Sequence, residues 1–129
     1  MPHAALIRSS LWLTCPFNFG AGLTFAFPAS PPGQLIGLPA EVPAIYAAAS
    51  GFLICLLGGM YAWMALQTEI NRPMLYVGAI GKAGVFILVA ALWSVGSAPL
   101  MLVFVASGDL AFATLWFWWL LAGSRSSAT

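Results

Sequence analysis

Charge is what this chain has least of: 5% of its residues are charged, with four basic and three acidic side chains in 129 residues, against roughly 25% in soluble domains. The net charge of +1 is spread without a basic run, which removes the electrostatic footprint of a nucleic-acid binder and of a polybasic lipid-binding patch. The single histidine is His3, near the N-terminus. No apolar segment therefore holds an imidazole, and this argues against b-type haem and histidine-ligated metal sites. Two cysteines, Cys15 and Cys55, lie far apart, without the C-x-x-C spacing of redox or zinc motifs. They read as small buried hydrophobes. No cofactor or metal is expected.

What is present is apolar sequence: 62% of the residues are hydrophobic and the mean hydropathy is +0.98. Roughly 20 apolar residues cross a bilayer core, so the length accommodates four spans with short connections and no separate soluble domain. The expectation is a single all-α domain, a four-helix transmembrane bundle, with spans at about 7–28, 43–66, 74–96 and 99–122. Pro43, Pro73 and Pro99 stand at helix starts, where a missing N–H costs nothing. The connection "SPPGQLIGLPAEVP" is long and partly apolar, as a segment lying along the membrane interface would be. "GSAP" is short and forces the last two spans into a tight antiparallel hairpin.

Arg8, Arg72 and Arg125 fall on the side shared by both termini and the second loop, whereas the first and third loops carry no lysine or arginine. The positive-inside rule makes that side cytoplasmic. Trp12, Trp63, Trp116, Trp118 and Trp119 gather toward the same side, as an aromatic belt would, with Trp93 near the other. Tyr46, Tyr61 and Tyr76 sit near span ends and fit interfacial anchors, although Tyr61 could turn its hydroxyl inward. The alternative for the first span is a cleaved signal peptide, with Arg8 ahead of an apolar stretch ending at "FPAS". That stretch exceeds the 7–15 residues usual for such a region.

Two charges interrupt the apolar spans: Lys82 in "VGAIGKAGVFILVAALWSVG" and Asp109 in "LVFVASGDLAFATLWFWWLL". A lysine at mid-span costs roughly 2.5–3.5 kcal/mol on insertion scales unless it finds water or an acceptor. Lys82 lies fifteen residues before Ser97 and Asp109 twelve after it, which puts their α-carbons within roughly 4–5 Å in depth at 1.5 Å per residue. Gly78 and Gly81 are placed on the Lys82 face, and Ala106 and Ala113 on the Asp109 face, small residues of the kind that let helices approach. A Lys82–Asp109 ion pair inside the bundle follows, with Asn18 as third member. Tyr61 and Ser107 are candidates for further polar lining. The proline at position 16 leaves the carbonyl of Trp12 without its helical donor, one more acceptor for the network. The stripe Ala47, Gly51, Cys55, Gly58 and Ala62 reads as a packing face of the second span.

The order "GLPAEVPAIY", "GGMYAWMAL", "VGAIGKAGV" and "SGDLAFATLWFWWLL", over about residues 35 to 121, resembles small bacterial four-helix membrane proteins that are loosely DoxX-like in layout. The resemblance rests on Gly81-Lys82 and Gly108-Asp109, while the second loop, "QTEINRP", is less charged than that of those relatives and holds no histidine. It implies a four-helix bundle in the bacterial inner membrane and no particular activity. Two functions stand beside each other. One is an accessory or packing subunit, or a membrane-embedded binding module, without catalysis of its own, with the bilayer and a homo-oligomer or larger membrane complex as partners. The other is a small proton-coupled transporter in which Asp109 exchanges protons and Lys82 is its counter-charge. A membrane redox enzyme built on Cys15 and Cys55 has the least support, since paired-cysteine spacing is missing.

Overall fold

The computed structural model describes residues 3–125, and the side chains of 3–123. Within that range the chain is all-α, with five helices: α1 (Ala4–Ala26), α2 (Pro31–Leu35), α3 (Ala44–Leu66), α4 (Arg72–Ser94) and α5 (Leu100–Arg125). The four long helices fall within three residues of the expected span boundaries. The short α2 stands in the long first connection, the segment expected to lie along the membrane interface. The helices α3, α4 and α5 are each long and apolar enough to cross a membrane. Helix α1 has the length, 23 residues, but its apolar run is diluted by Arg8, Ser10, Thr14 and Asn18. The side chain of Arg125, which entered the charge count above, lies outside the described residues.

The ends of the helices follow local chemistry. Asn71 caps α4 by accepting a hydrogen bond from the Met74 N–H, and Pro73 occupies the first turn, where no backbone donor is missed. At the far end of α4, Ser97 N–H donates to the Leu92 carbonyl and Gly96 N–H to that of Trp93. This pair of bonds is a Schellman motif, and it requires a left-handed residue between; Gly96 supplies φ of 75°. A tight turn to Pro99 results, and it sets α4 and α5 antiparallel.

The long helices associate as two pairs, α1 with α3 and α4 with α5. In the first pair the backbones touch: a methyl group added at Gly22 would lie 2.8 Å from the Gly51 carbonyl oxygen, and one added at Gly51 would lie 2.5 Å from that of Gly22. Gly58 receives Asn18 and the Cys15 carbonyl in the same way, so the small-residue stripe on α3 packs against α1. Each pair is also closed at the same end by an arginine. Arg8 donates to the carbonyls of Ala65, Gln67 and Thr68 at the end of α3. Arg72 donates to the Leu120 carbonyl near the end of α5 and lies 5.0 Å from the ring centre of Trp119. Cations at helix C-termini meet unpaired carbonyls and the negative end of the dipole.

Between the pairs lies a layer of bulky side chains: Ile7, Leu11, Tyr61, Met64, Leu75, Trp116 and Leu120 are fully or almost fully buried. Trp116 and Trp119 are core residues, not an aromatic belt, because Trp116 Nε1 finds an internal acceptor in Ser10 Oγ at 2.8 Å; Trp12, Trp63 and Trp118 do face outward. Gly81 is exposed, with open space where a side chain would be. One residue from Lys82, it stands about 100° around the helix, since neighbours in sequence do not share a face. Gly78 is buried and makes room for the rings of Tyr61 and Trp116.

Overpacking at the α1–α3 contact therefore has a defined cost. Gly51→Val is expected to lower stability by about 1–3 kcal/mol, whereas Gly59→Ala, with nothing within 4 Å of the new methyl, should be neutral or stabilising by about 0.5–1 kcal/mol. Thermal unfolding of the two variants in the same detergent measures the difference.

Candidate functional site

Lys82 projects from the middle of α4 into the space between the two pairs, and its side chain is 4% exposed. Its ammonium group lies 2.5 Å from Asp109 Oδ1 on α5 and donates to Asn18 Oδ1 on α1 at 3.0 Å. The first contact closes the α4–α5 pair on itself; the second ties it to α1. Asn18 cannot turn its amide freely, because Nδ2 donates to the Ile54 carbonyl on α3 at 3.2 Å. That bond aims the amide oxygen at the ammonium.

Three aromatic rings complete the surroundings. Lys82 Nζ is 5.2 Å from the ring centre of Phe17, 5.3 Å from that of Tyr61 and 5.3 Å from that of Phe112. Within about 6 Å of a ring face an ammonium gains roughly 0.5–2 kcal/mol, the larger figure where water is excluded. The rings come from α1, α3 and α5. All four long helices thus meet at one charge: α4 supplies the cation, α1 an amide and a ring, α3 a ring, and α5 a carboxylate and a ring.

Of the residues proposed for the site, Lys82, Asp109 and Asn18 are brought together, and Tyr61 lies against them with its ring turned inward. Ser107 is not. It is exposed and donates to the Phe104 carbonyl of its own helix; two residues from Asp109, it points to the opposite side of α5. The carbonyl of Trp12 is not among the hydrogen-bond partners of Lys82. Cys15 and Cys55 are free thiols, each partly buried. Phe17 and Phe112 escaped the sequence reading, although the first adjoins Asn18 and the second follows Asp109 by three residues, a spacing that shares a helix face. Below the cation, Ser10, Thr14 and Asn18 repeat every four residues and are all buried, giving α1 a polar stripe. The Thr14 hydroxyl has no hydrogen-bond partner.

Chemically, this arrangement holds a cation firmly and offers little else. Among the described residues no three His, Cys, Asp or Glu side chains stand close enough to hold a metal. An open groove of about 610 Å³ lies on the outer face of α5, lined by Leu110, Ala111, Thr114 and Trp118 among others. It does not reach the charge pair.

Breaking one half of a buried pair strands the other half. Asp109→Leu and Lys82→Met are each expected to cost about 3–5 kcal/mol, and the double variant Lys82→Met/Asp109→Leu less than the sum of the two. A double-mutant cycle by thermal unfolding in detergent checks this, and strict additivity would contradict the coupling. No family model, curated protein or solved structure matches the chain.

Proposed function

We propose that the chain is a small polytopic membrane protein without catalysis of its own, serving as an accessory or packing subunit or as a membrane-embedded binding module. The observation that carries this reading is the internal satisfaction of Lys82: carboxylate, amide oxygen and three rings all come from the same chain. Ionisable groups that serve transport need a free coordination position or a water-filled path, and here the cation already has its partners. A second feature agrees. Only 17–28% of each of the three apolar spanning windows is buried inside the chain, so most of their surface is available to lipid or to another membrane protein.

On this reading α1 joins α3, α4 and α5 as a fourth transmembrane span, its polar stripe turned inward and its exposed residues, such as Leu13 and Leu23, turned to lipid. Arg8 and Arg72 share one end of the bundle, which under the positive-inside rule supports a cytoplasmic side for both termini, and the DoxX-like layout of the sequence supports the inner membrane of a bacterium. Purification in a mild, lipid-preserving detergent is expected to recover the protein with a partner or as an oligomer. A solitary monomer that supports no other membrane protein would contradict the proposal.

One observation favours a second reading, a proton-coupled carrier. The Asp109 side chain is 16% exposed, four times as much as that of Lys82, so the carboxylate is the accessible half of the pair. If Asp109 carries protons, liposomes containing wild type should show a flux that Asp109→Asn abolishes. Equal background flux in both removes the carrier.

A further inference from the structure

Neutralising Lys82 requires one carboxylate, and the protein supplies considerably more. An amide oxygen is held in place by a bond from Asn18 Nδ2 to the Ile54 carbonyl, and three rings from three helices stand at nearly equal distances, 5.2, 5.3 and 5.3 Å, around one point. A carboxylate together with converging aromatic faces is the chemistry by which proteins recognise ammonium ions in general. A guanidinium would not fit as well, because a planar group stacks on one face and cannot present itself to three rings at once.

We propose that Phe17, Tyr61, Phe112, Asp109 and Asn18 form a binding site for a primary alkylammonium ion, of which the Lys82 side chain is the tethered occupant. A free alkylammonium ion enters the site once the tether is removed. Lys82→Ala deletes three carbons and the nitrogen, which is n-propylammonium in outline, and leaves every cage residue in place. The site is separate from the outer groove on α5, whose lining contains no charged side chain.

The test uses full-length Lys82→Ala in detergent, titrated with n-propylammonium chloride. Its melting temperature should begin to rise at roughly millimolar concentration and climb further with the logarithm of the concentration, while sodium chloride and the neutral n-propanol leave it unchanged. Wild type, with the site filled, should not respond. Adding Asp109→Asn to the Lys82→Ala background should raise the concentration needed for the same rise about tenfold or more, the loss of a hydrogen bond to a charged group. A response shared by wild type, matched by n-propanol, or untouched by Asp109→Asn would overturn the proposal. If Lys82→Ala accumulates poorly, the ion should raise its folded yield when present during extraction, and an unchanged yield counts against the site. In wild type, nuclear magnetic resonance offers an independent check: ring currents from three faces should move the Lys82 ε-methylene protons upfield of their position in free lysine. A free-lysine position would show that the cage is not formed.

Discussion

A single ammonium group in an apolar interior constrains everything around it. Lys82 cannot be left unpartnered between helices, because stranding a buried charge costs several kcal/mol. Asp109 must therefore stand at its depth, which fixes the register of α4 against α5. Asn18 must reach it from α1, which fixes how the first helix pair sits on the second. The hydrophobic layer of Ile7, Leu11, Leu75, Trp116 and Leu120 supplies packing, but apolar contacts tolerate sliding, whereas the polar contacts at Lys82 admit one arrangement.

The two helix pairs are built on different principles. Glycines bring α1 and α3 together until backbone meets backbone at Gly22 and Gly51, and small residues are what membrane helices use where water cannot drive association. The α4–α5 pair relies instead on its Schellman turn and on the ion pair. Between the pairs, bulky rings keep the backbones apart. This spacing leaves room for a lysine side chain and for the Tyr61 and Trp116 rings, 5.1 Å apart between centres. Arg8 and Arg72 then close both pairs at one end, so two of the few cations in the chain are committed to helix carbonyls.

Much of this was legible in the sequence, for identifiable reasons. Helix boundaries were marked by Pro43, Pro73 and Pro99. The depth match of Lys82 and Asp109 followed from counting along two helices joined by a short turn, and Asn18 was the polar residue at similar depth on the first. What the sequence does not reveal depends on which way a side chain turns. Trp116 near a helix end reads as a belt residue until the Ser10 hydroxyl, 106 positions away in sequence, offers its indole an acceptor. Ser107 and Gly81 lie near the site in sequence, but steps of two and one residues carry them around the helix and away. The three rings around the ammonium come from helices whose mutual rotation no single span reveals.

The turn at Gly96 has a consequence for how the charges reach the lipid. A connection this brief lets α4 and α5 fold back on each other as a unit, needing neither α1 nor α3 to bring Lys82 beside Asp109. The two charges can cancel while the hairpin is still entering the bilayer, so what the hydrocarbon first meets is a dipole and not an ion. Asn18 and the three rings then refine a contact that the α4–α5 hairpin can establish alone.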